Sequence, residues 1–220
     1  MRRERWPALY GFSPVVVPPP ADWLPGREVT GYWWPHVPAD WQPPAELVEF
    51  LDAGEPPVFV GFGSMTPDRD DLGRVVAEAV RWAGVRAVVQ AGWAGLDAAE
   101  LARHGLGDRT LAIGEVPHEW LFPRTAAVVQ HAGAGTAGAA LRAGVPVVSV
   151  PVGTDQPFWA ERVAGLGAGP PPVPVRRLDR DRLAAAVIDA VGKVSYRQAA
   201  QEVAARLAAE DGVAGAVAAV

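Results

Sequence analysis

Cysteine is absent from this 220-residue chain, which excludes disulfides and thiolate metal sites and leaves the compartment open, with cytoplasm as the expected location. No stretch approaches the roughly 18 to 20 consecutive apolar residues of a membrane-spanning helix. Positive charge is scarce as well. With a net charge of −5 there is no basic excess to release counterions, so a nucleic-acid partner is not expected. A small anionic ligand is a different matter, because a helix N-terminus holds one without side-chain charge. The first twenty residues, MRRERWPALYGFSPVVVPPP, begin basic, but their apolar part is short and broken by proline, so they do not read as a signal peptide. Lysine is nearly missing too, Lys193 being its single instance, a coding bias without mechanistic content. Half of the residues are hydrophobic and a fifth charged, an ordinary globular balance that supports one well-buried core or two small ones.

Proline and tryptophan crowd residues 1–56, with PPP at 18 to 20, so regular helix is not expected before about Glu46. VTGYWW from Val29 reads as a short strand, and AELVEFLDAG from Ala45 as an amphipathic helix closed by Gly54. Trp6, Trp23, Trp33, Trp34 and Trp41 make this segment too apolar for a solvated tail. From residue 57 to residue 220 strands alternate with helical spacing: VFVG, then Leu72, Val75, Val76, Ala79 and Val80, then RAVVQAG, DAAELARHG, TLAIGEV, AAVVQ, PVVSV and a weaker AGPPPV. Helices are expected near 136–143, 156–165 and 179–191, and a last one from Ser195 to Leu207 that continues past Gly212. This alternation predicts an α/β fold, a Rossmann-like doubly wound parallel sheet with helices on both faces.

The chemistry concentrates between Ala126 and Phe158. AAVVQ is a buried strand, HAGAGT turns closely on small residues, and a helix starting near Thr136 offers unpaired N–H groups and a partial positive charge to a phosphate. After the next strand comes Asp155–Gln156, a carboxylate that accepts two hydroxyls beside an amide that donates and accepts, a pairing that suits a sugar better than a metal. Earlier, Gly61 to Met65 (GFGSM) forms a glycine turn but lacks the third glycine of a dinucleotide fingerprint. The two D-R-D triplets, at 68–70 and 179–181, are read as helix caps, and no metal site is assigned.

Gln130-His131-Ala132-Gly133-Ala134-Gly135-Thr136-Ala137 and Asp155-Gln156-Pro157-Phe158-Trp159 resemble the donor-binding signatures of GT-B glycosyltransferases of the bacterial and fungal sterol and antibiotic type (family 1), which read HHGGAGTT and DQPFW. The resemblance departs at Gln130, Ala132 and Ala137. It implies the UDP- or dTDP-hexose-binding half of an inverting, metal-independent hexosyltransferase, with no cofactor beyond the nucleotide sugar. Ser64, Gln130, Gly133, Gly135 and Thr136 would meet the donor diphosphate, with Gln130 in the place of a phosphate-facing histidine and His131 packed into the core. Val116 and Pro117 of Glu115-Val116-Pro117-His118 would form the nucleobase pocket, and Asp155 and Gln156 would hold the sugar. Residues 1–56 would then be an interdomain linker leading into the donor domain at 57–220. None of His36, His104, His118 and His131 resembles the family's catalytic base, so the base and the acceptor, a small lipophilic alcohol such as a sterol or polyketide, are expected to need a separate acceptor domain or subunit, this chain being inactive alone. Two other readings stay open: a non-catalytic nucleotide-sugar-binding remnant, and a GT-B-like nucleotide-sugar epimerase.

Overall fold

The computed structural model describes residues 8–63, 70–90, 103 and 106–220. Its centre is a five-stranded, all-parallel sheet of β3 (Val58–Gly61), β4 (Ala87–Gln90), β5 (Thr110–Ile113), β6 (Ala127–Gln130) and β7 (Val147–Ser149), in the order β5-β4-β3-β6-β7. The strands are near-continuous runs of Val, Ala and Phe, as a sheet covered on both sides requires. From β3 the chain builds outward through β4 and β5, then returns to the other side of β3 for β6 and β7. The strand order therefore reverses between β3 and β6, and the carboxyl ends of those two strands border the crevice where open α/β sheets bind ligands.

Alternation along the strands sorts the side chains into two cores. Val58, Val60, Ala87, Val89, Ala127 and Val129 face α2 (Leu72–Ala83) and a later helix, α6 (Arg180–Gly192). Phe59, Val88, Val128 and Val147 face the opposite layer, which holds α1 (Ala45–Asp52), α3 (His118–Leu121), α4 (Ala134–Arg142), α5 (Gln156–Gly165) and α7 (Val194–Leu207). Each fully buried Val, Leu or Phe contributes on the order of 1.5–3 kcal/mol. The helix pattern of α2 is the expected one, and Gly84 closes it in the left-handed conformation at φ 67°.

The proline-rich lead-in is folded against the domain. β1 (Ala8–Tyr10) and β2 (Arg27–Val29) pair in parallel, and Val16, Tyr32 and Leu47 are buried in the same core as α4 and α7. Arg162 Nε donates to the Val16 carbonyl at 2.7 Å, and the Ser13 hydroxyl to Glu210 Oε1 at 2.6 Å. The last helix, α8 (Gly212–Ala218), approaches residues 30–32 so closely that a Cβ on Gly212 would lie 2.4 Å from the Tyr32 carbonyl oxygen.

Three local expectations are corrected. The strand near VTGYWW ends at Val29 instead of starting there. AGPPPV forms no strand, because its prolines lack the N–H groups of a ladder; it keeps a bond from Val173 N to Ser149 O, followed beyond the segment by one from Val175 N to Pro151 O. The last helix breaks at residues 208–211, and Asp211 caps a new one by accepting from Ala214 N. Of the acidic triplets, Asp179 caps α6 by accepting from Arg182 N at 2.8 Å, while most of the first triplet and the helix expected from DAAELARHG lie outside the described residues. Among the described residues no helix is long and apolar enough to cross a membrane.

Candidate functional site

At the end of β6, Gln130 is fully buried. It pairs in register with Gly61 and Ser149 and, by alternation, shares the side of Val128. Its Oε1 accepts the Ala132 N–H at 2.7 Å. Gln130, expected to meet the diphosphate, is thus fully enclosed on the Val128 side, and His131, expected in the core, is only partly buried. The imidazole of His131 lies over two glycines at the crevice: a Cβ on Gly133 would come within 2.6 Å of its Nε2, and one on Gly63 within 3.1 Å of its Cε1. The smallness of both residues makes room for this ring. Partial burial lowers the pKa of His131, while the Asp155 carboxylate pulls it the other way. Burial thus favours the neutral imidazole, and an anion arriving beside it would favour uptake of a proton from solvent.

The chain passes from His131 into α4 through Ala132, which adopts the left-handed conformation at φ 64°. Gly133 is the N-cap, so the helix starts at Ala134, two residues before the expected position. The Ala137 N–H is the first to find a helical acceptor, the Gly133 carbonyl at 2.9 Å. The N–H groups of Ala134, Gly135 and Thr136 are first-turn donors with no carbonyl a turn earlier to bond. They and the His131 ring line the same turn.

The loop after β7 supplies the acidic group. Asp155 is exposed, and its carboxylate accepts from the indole Nε1 of Trp159 at 2.9 Å and from the Thr154 hydroxyl at 3.0 Å. These donors, the indole first, hold its carboxyl below the usual carboxylate range. By sequence Trp159 has no role beyond closing the DQPFW block, though its i, i+4 spacing from Asp155 is the signal that places the two on one helix face. Gln156 is buried, and its Oε1 accepts from Val152 N at 2.7 Å and Gly153 N at 3.2 Å. The loop thus takes up the carbonyl of Gln156, leaving its amide N–H₂ as the group that remains for a ligand.

A groove of about 750 Å³ runs from Gly135 and Thr136 past Pro117 and His118 to Tyr32, Trp33 and Trp34. Val116 is buried next to Pro117. His118 stacks on Phe122 at 4.3 Å and meets Phe59 edge-on, and burial lowers its pKa, so it acts as part of the wall. Arg142 sits over the Trp34 ring at 4.8 Å and pairs with Glu119 at 3.2 Å. The Trp33–Trp34 wall was not foreseen, since the tryptophans fall in a segment without periodicity and only long-range packing brings them to α4. The structure thus brings Pro117, Gly135 and Thr136 together in one groove and couples His131 to Asp155. Ser64 lies outside the described residues. Among those described, no group of three His, Cys, Asp or Glu side chains is arranged to hold a metal.

Residues 94–218, more than half of the chain, match the family described as "Erythromycin biosynthesis protein CIII-like, C-terminal domain". The chain is 40% identical over 212 residues to the sterol 3-beta-glucosyltransferase UGT80A2 of Arabidopsis thaliana, covering 96% of this chain and 32% of that protein. It is 41% identical over 209 residues to the O-mycaminosyltylonolide 6-deoxyallosyltransferase of Streptomyces fradiae, covering 94% of this chain and 47% of that protein. It therefore spans between about a third and a half of the length of these two relatives. The solved glycotransferase of kitacinnamycin superposes on 96% of this chain and 54% of its own with a TM-score of 0.74, at 23% identity, a likeness of fold. The glycosyltransferase VinC, solved with dTDP, matches 74% of this chain and 40% of its own with a TM-score of 0.59 and 28% identity. The fold is one half of the GT-B architecture.

Proposed function

The chain belongs to that family of glycosyltransferase C-terminal domains, and from this premise we propose that it binds the nucleotide-diphosphate sugar, UDP- or dTDP-hexose, of an inverting, metal-independent glycosyltransferase. One observation carries the reading: His131 lies against Gly63 and Gly133, at the ends of the strands where the order reverses and at the start of α4, and interacts electrostatically with the Asp155 carboxylate. The α4 N–H groups of Gly135 and Thr136, with Gly133 as the small cap, receive the diphosphate, and His131 adds a proton that follows the anion. Ser64, which follows the Gly61–Gly63 turn, adds a hydroxyl. Pro117 and Val116 take the nucleobase in the groove. Asp155 accepts sugar hydroxyls, with the Gln156 amide beside it.

In the transfer, an acceptor hydroxyl oxygen bonds to the anomeric carbon as the bond from that carbon to the diphosphate oxygen breaks, and the electron pair leaves with the diphosphate. Negative charge grows on the phosphates, where fixed N–H donors and an imidazolium stabilise it without reorganising. Asp155 orients the sugar so that the anomeric carbon meets the acceptor from the face opposite the leaving group, giving inversion. The acceptor's proton passes to a base. We assign that base, and a lipophilic acceptor of sterol or polyketide type, to a separate domain or chain, and the donor half alone is then inactive. Of the two relatives named above, one is a sterol 3-beta-glucosyltransferase and the other an O-mycaminosyltylonolide 6-deoxyallosyltransferase. Isothermal titration with UDP, dTDP and GDP tests the reading. Binding of UDP or dTDP in the micromolar to millimolar range is expected, and no heat with any nucleotide at millimolar concentration would remove it.

A further inference from the structure

We propose that Gln130 is a positioning residue whose side-chain carbonyl latches the phosphate turn, holding Ala132 left-handed so that His131 and the α4 N–H groups are aimed into the crevice. The inference rests on the donor-site reading for its consequence, but its geometry is independent of any ligand. Gln130 is fully buried, and its Oε1 takes the Ala132 N–H at 2.7 Å, closing a side-chain-to-backbone ring of the kind that competes with regular structure. The residue held is an alanine at φ 64°, a conformation that a Cβ disfavours and glycine adopts freely. The reversal at Ala132 separates a strand that ends at Gln130 from a helix that starts at Ala134, so it sets where the ring between Gly63 and Gly133 and the first-turn donors point.

Stability alone does not account for the amide. Gln130 Nε2 is buried and finds no acceptor in the protein. An apolar side chain of the same length fills the site without stranding a donor. What the amide adds is the one acceptor oxygen at the Ala132 N–H.

The test is a cycle of variants. Gln130→Leu removes the acceptor at similar volume and is expected to weaken UDP binding about tenfold, the scale of one hydrogen bond together with one disfavoured dihedral pair. It is also expected to raise the imidazole pKa of His131, followed by NMR, as the released ring moves toward solvent. Ala132→Gly alone leaves both readouts near wild type. In the double variant glycine holds the turn without the latch, and UDP affinity recovers to within about twofold of wild type. Wild-type affinity in Gln130→Leu, or a double variant no better than Gln130→Leu, overturns the proposal. Gln130→Met serves if the leucine variant does not fold. The His131 titration needs no nucleotide, so a wild-type protein that fails to bind UDP refutes the donor reading while the titration still decides the latch.

Discussion

The turn after β6 and the loop after β7 lie on neighbouring strands and solve the same geometric problem with the same parts. Each has a buried glutamine whose Oε1 accepts backbone N–H groups: Gln130 from Ala132, and Gln156 from Val152 and Gly153. Each has a non-glycine residue in the left-handed region, Ala132 at φ 64° and Thr154 at φ 55°. Each then enters a helix. They differ in what they present. The first shows small residues, N–H groups and a neutral imidazole; the second shows an exposed carboxylate buttressed by the Trp159 indole. Similar backbone devices thus carry an imidazole with first-turn N–H groups and, one strand over, a carboxylate, which under the proposed function receive the phosphates and the sugar hydroxyls respectively. Opposite partial charges on adjacent strands are what a phosphate-linked sugar requires, since its phosphates need donors and its ring offers hydroxyls.

The comparison breaks hardest at Gly133. A Cβ there meets His131 Nε2 at 2.6 Å, so Gly133→Ala must displace the ring, and we expect UDP affinity to fall by roughly 2–3 kcal/mol, the range of a lost charge-assisted hydrogen bond with local strain. Calorimetry reads this directly, and wild-type affinity would mean that the ring does not serve the phosphates. At the second loop, Asp155→Ala is expected to lower UDP-hexose affinity by about 1.5 kcal/mol or more while leaving UDP itself nearly unchanged. Equal losses for both ligands would make Asp155 a phosphate-side residue and erase the division of labour.

Protonation gives a smaller and more diagnostic effect. His131 lies below the ordinary histidine value in the free protein because burial disfavours its charged form, and a bound diphosphate raises its pKa. Binding therefore takes up a proton. The contribution of His131 to affinity is full below its free-state pKa and is lost as pH rises through its bound-state pKa. The difference in UDP affinity between wild type and His131→Asn should shrink over that window, and the binding heat of wild type should depend on buffer ionisation enthalpy. A difference that is flat from pH 5 to pH 8 would rule out titration of His131. The smallest effect belongs to Gln130→His. With the side chain directed into the core, an imidazole that keeps an acceptor nitrogen at the Ala132 N–H preserves the latch and should leave diphosphate affinity within about 0.5 kcal/mol of wild type; a clear gain would return position 130 to the crevice.

The sheet was legible because VFVG, AVVQ and VVS are buried on both faces and so run apolar without interruption. The glycine turn after β6, and the loop after β7 that carries Asp155, were legible from residue chemistry. Which of Gln130 and His131 is turned to the core was not legible for a physical reason: a period of two says that neighbours point to opposite sides, but not which side is enclosed. Gly63 and Gly133 make the room that the His131 ring occupies, and Gly63 is 68 positions earlier in sequence. Trp33 and Trp34 become a groove wall only because the lead-in folds back against α4, a contact that no local pattern encodes.

The central claim is that the β6 turn receives a diphosphate. An NMR titration of the labelled chain with UDP tests it directly. The account predicts saturable shifts in the amides of Gly133 to Thr136 and in the His131 ring, with the Asp155 loop responding only when a UDP-hexose replaces UDP; shifts that bypass the β6 turn, or none at millimolar UDP, would contradict it.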